Sequence, residues 1–190
     1  MTPPNTPPAR LILASTSRYR KALLERFRLS FDVVAPRWNE VRFEDPDRSV
    51  RANAAGKAQT VAADFRDAAV LGSDQVAWCD GRILEKPGTE EAAREQLAWL
   101  SGREHRLHTS VLLRMPDGTE REQTVVARLR LRRLTPGQIA TYVRRENPLD
   151  CAGSYKIEGL GIALFDYFDC EDPTAVEGLP LIATRRLLED

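Results

Sequence analysis

Four apolar residues, Leu11-Ile12-Leu13-Ala14, are cut off by Ser15-Thr16-Ser17, after which Tyr19, Leu23 and Phe27 recur at i, i+4 and i+8. That spacing predicts a strand, a tight polar turn and a helix. Phe31 to Val34 predicts a second strand, and Pro36 to Asp47, charged and carrying two prolines, a loop. A long helix follows from Ser49, its candidate N-cap, with Val50, Ala54, Val61 and Phe65 marking the apolar stripe. Ala69 to Gly72 reads as a buried strand running into Ser73-Asp74-Gln75, and Asp80-Gly81 as a hairpin turn. Thr89 caps a helix whose first turn carries Glu90 and Glu91, facing the positive end of the helix dipole, and Ser101-Gly102 ends it. His105 to Arg114 and Glu120 to Leu134 flank Pro116-Asp117-Gly118 as a long antiparallel hairpin. Thr135-Pro136 takes the N-cap and N1 places of another helix, with Pro148 just past its end. A glycine-punctuated loop over 151–161, a strand over 162–168 and a last helix over about 180–188 complete the chain. Crossover helices combined with a long hairpin predict an α/β fold with a mixed, twisted sheet flanked by helices.

A length of 190 residues with 42% hydrophobic content is enough to bury a full core, and one domain over residues 10–190 is the expectation. Met1 to Ala9, polar and proline-rich, is expected to be a disordered tail. Lys plus Arg and Asp plus Glu both count 28, so nothing suggests binding to nucleic acid polymers or anionic membranes, and any anion site must be local. No apolar run approaches the ~18 residues that span a bilayer, and the mean hydropathy is −0.41. With no signal-peptide pattern at the N-terminus, a cytoplasmic location is expected. Cys79, Cys151 and Cys170 are an odd set without CxxC spacing, which fits neither a disulfide framework nor a zinc cage and leaves reduced thiols.

The strongest local chemistry lies in Ser15-Thr16-Ser17-Arg18-Tyr19-Arg20-Lys21, where a strand delivers hydroxyls and backbone N–H groups to a helix start beside three cations. Phosphate suits such a place, and Arg20 offers a bidentate fork that Lys21 cannot. The alternative is that Ser17 is only an N-cap and the cations are solvated. Asp74 interrupts a run otherwise suited to a buried strand, so its charge needs a cation, a metal or a proton, unless it caps a turn at a strand end. Glu40 is a candidate second carboxylate for the same metal, the alternative being an ordinary surface Glu. Lys57 falls seven residues after Val50 and four before Val61, on the apolar side of its helix, where it either snorkels or meets a buried anion. Lys86, before Pro87, has the same ambiguity. His105 and His108, three apart on a strand, point to opposite faces and do not share a metal, which leaves structural or surface roles. Neither a Gly-x-Ser-x-Gly elbow nor a phosphate loop of the Gly-x4-Gly-Lys type is present, so the nucleophile is expected to be water.

Five blocks, Leu11 to Ser17, Gly72-Ser73-Asp74-Gln75-Val76, Glu85-Lys86-Pro87, Leu100-Ser101-Gly102 and Cys151-Ala152-Gly153-Ser154-Tyr155-Lys156, together resemble the Maf family. Members of that family, named as septum-formation inhibitors, are nucleotide pyrophosphatases with a mixed α/β fold related in shape to the inosine triphosphatases. The resemblance implies a nucleoside triphosphate substrate and a divalent cation, Mg²⁺, Mn²⁺ or Co²⁺, and homodimers are common in the family. It implies that Ser15, Arg20 and Lys21 hold phosphates, that Glu40 and Asp74 hold the metal with Asp74 also acting as general base, and that Lys57 and Lys86 complete a cationic ring. Within the family, Gly72 to Gln75 and Ser154 to Gly159 look like the branch that hydrolyses 7-methyl-GTP rather than dTTP and UTP. Tyr19, Gln75 and Glu158 stand where that choice is made, since a Glu158 carboxylate would accept from guanine and favour the cationic ring that N7-methylation creates. Two departures stand out: Arg18 replaces a usual proline, and Trp38-Asn39-Glu40 replaces valine-aspartate-glutamate, removing one carboxylate beside Glu40. A pyrophosphatase of different base preference and a nucleotide-binding regulator of cell division are the competing readings.

Overall fold

A computed structural model describes residues 10–189 of the chain, so the expected tail, Met1 to Ala9, lies outside the described residues. Contacts cluster into two compact units, one holding the residues up to Asp74, Thr109–Val125 and those from Asp172, the other Gln75–His108 and Val126–Glu171. Three long strands pass from one unit into the other: β3 (Ala69–Cys79), β5 (Glu104–Arg114) and β6 (Glu120–Leu131). With β1 (Leu11–Ala14), β2 (Asp32–Val34), β4 (Arg82–Leu84) and β7 (Phe165–Asp169), they form a seven-stranded sheet among the described residues, in the order β2-β1-β3-β5-β6-β7 with β4 on β3. The sheet is mixed, as expected: β1 runs parallel to β2 and β3, while β3 pairs with β4 and β6 with β7 antiparallel.

In the first unit β1 is buried along its whole length, the signature of a parallel strand covered on both faces. Its register pairs Leu13 with Val33 on one side and Leu71 on the other. Helix α1 (Arg18–Glu25) buries Leu23 and Leu24, whereas Phe27, predicted to extend its stripe, lies past its end. Helix α2 (Pro46–Ala62) packs Ala54, Ala58 and Val61 onto Ile12, Ala14, Val70 and Leu112. Full burial of each such Leu, Ile or Val contributes about 1.5–3 kcal/mol. The helix begins earlier than expected: Asp45 is the N-cap, accepting from the Asp47 N–H at 2.9 Å, and Pro46 takes N1. Ser49, predicted to be the cap, is buried one turn inside, where its hydroxyl holds the Phe43 backbone. Phe65 follows the helix but still packs on its core.

The second unit contains α3 (Glu90–Leu100) and α4 (Pro136–Glu146), whose caps match their sequences. Thr89 accepts from Ala92, and Thr135 with Gln138 makes a reciprocal capping box. Asp80 and Gly81 take positive φ values of 49° and 80° in the β3–β4 turn, as a two-residue hairpin requires. Lys156, from the Cys151-to-Lys156 block, donates to the carbonyls of Glu146 and Asn147 at 3.0 Å each and so satisfies orphan acceptors at the end of α4. The strand expected over 162–168 begins only at Phe165, because Leu160–Leu164 forms a 3₁₀ turn. Both histidines are buried, which removes the surface alternative. Burial lowers His105 to about 4, and its Nε2 lies 2.9 Å from the Tyr155 hydroxyl. Among the described residues no disulfide joins the three cysteines, and no helix is long and apolar enough to cross a membrane.

The last helix, α5 (Leu181–Glu189), belongs to the first unit and matches its prediction.

Candidate active site

Asp74 is not at a strand end. Strand β3 continues through it to Cys79, leaving the carboxylate buried in mid-strand at 3% exposure. Because side chains alternate, Gly72, Asp74 and Val76 share one face, while Ser73 and Gln75 share the other. Helix α2 covers the Asp74 face, and Gly72 makes this close approach feasible: a Cβ there would lie 2.2 Å from the Ala54 carbonyl oxygen. Two turns of the helix therefore run over β3, and residues facing it at i, i+4 spacing, Asn53 and Lys57, meet the carboxylate.

Lys57 does not snorkel. Its ammonium donates to Asp74 Oδ1 at 2.7 Å and to Glu40 Oε1 at 2.6 Å, with its side chain 8% exposed. Asp74 Oδ2 accepts from Asn53 Nδ2 at 2.9 Å, and Arg42 lies 3.8 Å from that same oxygen while donating to Glu40 Oε2 at 2.8 Å. Burial pushes the Glu40 carboxyl up, but the hydrogen bonds and charges of Lys57 and then Arg42 outweigh it and hold the group at about 2. Both carboxylates thus converge on one cation, and the loop that delivers Glu40 is held by Asn53 through Trp38 and Val41.

Arg20 belongs to the same field. Desolvation lowers its guanidinium pKa, opposed by the charges of Asp74 and Glu40. Its Nε donates to the Gly178 carbonyl at 2.9 Å, the same oxygen that accepts from Ser73. At the start of α1, Ser17 is indeed an N-cap, accepting from Arg20 N, while the buried Ser15 accepts from Ser17 N at 3.1 Å and keeps a hydroxyl proton to donate. Arg18 takes N1, where a proline would also sit, and lies 4.8 Å over the Tyr19 ring. Lys21 is not brought to the carboxylates: its ammonium pairs with Glu25, 3.7 Å away, on the exposed side of α1. Gln75 leaves β3 on the face opposite Asp74. Lys86, after β4, and the exposed Glu158, before the 3₁₀ turn of Leu160–Leu164, belong to the second unit.

Asn53 and Arg42 join the cluster without having been singled out from the sequence. The signal for Asn53 was available, since a polar residue four before Lys57 on the buried stripe of α2 must find partners inside. Arg42 carried no comparable signal, because a cation two residues from Glu40 on an irregular segment has no predictable direction.

No group of three or more His, Cys, Asp or Glu side chains with metal-binding geometry exists among the described residues. Two carboxylates gathered around one cation nevertheless fit a hard divalent ion of the Mg²⁺ kind, which is commonly bound by one or two carboxylates, waters and substrate phosphates rather than by an all-protein cage. All four carboxylate oxygens already accept from cations or an amide, so the donor chemistry is that of a cation-binding pair.

The Maf-like protein family matches residues 10–190. Over 181 residues the chain is 52% identical to the 7-methyl-GTP pyrophosphatase of Xanthomonas axonopodis pv. citri, covering 94% of this chain and 95% of that protein. It is 48% identical over 187 residues to the 7-methyl-GTP pyrophosphatase of Burkholderia pseudomallei, covering 95% and 87%. Among solved structures it is similar to the Staphylococcus aureus Ham1 protein, at 13% identity and a TM-score of 0.49, over 64% of this chain and 71% of that one. The match to the family spans every described element, the carboxylate cluster and the Ser15-to-Lys21 turn included, and the chain belongs to the Maf family.

Proposed function

We propose that this chain is a nucleoside triphosphate pyrophosphatase that converts 7-methyl-GTP to the monophosphate and pyrophosphate. The observation that carries the reading is the buried Asp74 and the more exposed Glu40 converging on Lys57, with Arg20 and Arg42 in the same field. Hydrolysis at the α phosphorus needs water deprotonated, phosphate oxygens neutralised and the leaving pyrophosphate held. Asp74 takes the proton from the attacking water as the new P–O bond forms and the bond to the bridging oxygen breaks. Arg20, Lys57 and the Ser15 hydroxyl bind phosphate oxygens at the α1 start, with Lys21 at the outer edge. Mg²⁺, Mn²⁺ or Co²⁺, held by Glu40 and Asp74, supplies Lewis-acid charge to those oxygens when bound.

The roles of Lys86, Gln75 and Glu158 rest on the motifs in which they stand: a further phosphate cation for Lys86, and recognition of the base, with Tyr19, for the other two. The names of the two relatives at about half identity support 7-methyl-GTP over other bases. A cytoplasmic enzyme acting on a free nucleotide accords with the balanced charge. The test is pyrophosphate release by the purified chain from a panel of 7-methyl-GTP, GTP, dTTP, UTP and inosine triphosphate, with each metal and with EDTA. Preference for 7-methyl-GTP and dependence on added metal are expected. Turnover of none of the nucleotides, or preference for dTTP, overturns the reading.

A further inference from the structure

Asn53 is fully buried and uses every hydrogen-bonding position of its amide. Oδ1 accepts from Trp38 Nε1 at 3.1 Å and from the Val41 N–H at 2.8 Å, while Nδ2 donates to the Val41 carbonyl at 3.0 Å and to Asp74 Oδ2 at 2.9 Å. The amide thus clamps the backbone of the residue next to Glu40 on both its polar groups, as a neighbouring strand would. Trp38 is in turn fixed against α2: a Cβ at Gly56 would lie 2.3 Å from its ring, so the indole occupies the space that any larger residue at 56 would need. One side chain therefore ties the segment bearing Glu40, through its backbone, and the carboxylate of Asp74, through its oxygen, to the helix that carries Lys57.

We infer that Asn53 is a positioning residue that orients the Asp74 carboxylate and sets the Glu40 segment at matching reach of Lys57. The inference rests on the reading of Asp74 as general base. A donor aimed at Oδ2 fixes the rotation of the carboxylate and leaves Oδ1 directed at the Lys57 ammonium. Without that donor the carboxylate keeps Lys57, and Arg42 at 3.8 Å, but loses the hydrogen bond that fixes its second oxygen.

The test pairs a single variant with a swap of the two groups, and the swap isolates the tie to Asp74 from the clamp on Val41. Asn53→Asp keeps an acceptor for Trp38 Nε1 and the Val41 N–H, but sets a carboxylate oxygen against both the Val41 carbonyl and Asp74 Oδ2. With that oxygen turned from its donor the carboxylate loses its orientation, so kcat for pyrophosphate release should fall about tenfold or more, with KM changed less than about threefold. A kcat equal to that of wild type, or a loss confined to KM, overturns the inference. The swap Asn53→Asp with Asp74→Asn restores a donor–acceptor pair in reversed order and is followed by thermal unfolding, which needs no turnover. Its Tm should exceed the value expected from the two single losses by about 3 °C or more. If Asn53→Asp does not fold alone, the double variant should fold. Simple additivity, or failure of both variants to fold, overturns the tie. A wild type that hydrolyses no nucleotide overturns the proposed function, and the thermal cycle then still decides whether Asn53 holds Asp74.

Discussion

Replacing Lys57 by Met removes the cation between Asp74 and Glu40 and puts an apolar chain of similar length in its place. Breaking a buried pair costs about 3–5 kcal/mol when the remaining charge is left without compensation. Compensation here is partial: Asp74 keeps the Asn53 amide at 2.9 Å, and Glu40 keeps Arg42 at 2.8 Å with a side chain 42% exposed to water. The loss should therefore sit at the low end, about 3 kcal/mol, which for a chain of this size lowers Tm by roughly 6–12 °C. Its pH dependence has a definite sign. Glu40 is held at about 2 rather than its ordinary 4.5, so its share of the stabilisation is complete above 4.5 and disappears as pH falls through about 2. The gap between wild type and Lys57→Met should then be full at pH 7 and much smaller near the lower value, as urea unfolding at both pH values would show. A gap under about 1 kcal/mol at pH 7, the size of a surface ion pair, would refute the reasoning. A gap that does not narrow in acid would show that Glu40 is not the partner responsible.

Three further outcomes are expected. Asp74→Asn should lower turnover about a hundredfold or more while the chain stays folded by circular dichroism, because an amide cannot take the proton from water; near-normal kcat removes Asp74 as the base. Glu158→Gln should cost 7-methyl-GTP about tenfold to a hundredfold in kcat/KM relative to UTP, the worth of one charge-assisted hydrogen bond, whereas equal losses on every nucleotide would place Glu158 outside base recognition. Burial lowers His105 from 6.5 to about 4, so between those values the unfolded chain binds the proton first and folding stability falls as pH drops, levelling below about 4. That shift corresponds to about 3 kcal/mol, and urea unfolding of wild type and His105→Gln across the window should differ in slope; identical slopes would count against a neutral, buried His105.

Much of the architecture was legible from local pattern because its causes are local. The run Leu11 to Ala14, the Asp80-Gly81 turn and the Thr89 and Thr135 caps each carry their own geometric requirement, and each element formed where that requirement stood. Asp45-Pro46 was equally legible as a cap with proline at N1, but the buried Ser49 competed for the role. The end of β3 was not legible, since a strand can continue through Asp74 only if something distant supplies a cation, and Lys57, seventeen residues earlier in sequence, does so from another element. The same reason governs the site. Asp74, Glu40, Lys57 and Arg20 were recognisable as candidates one by one, from burial pattern and motif. Whether Lys57 would snorkel or enter, whether Lys21 would join Arg20 or pair with Glu25, and that Asn53 and Arg42 would close around the carboxylates were settled by packing. Sequence determines which groups are costly to bury alone; only the approach of α2 over Gly72 decides which partners reach them, because hydrogen bonds and ion pairs depend on ångström distances that no spacing along the chain encodes.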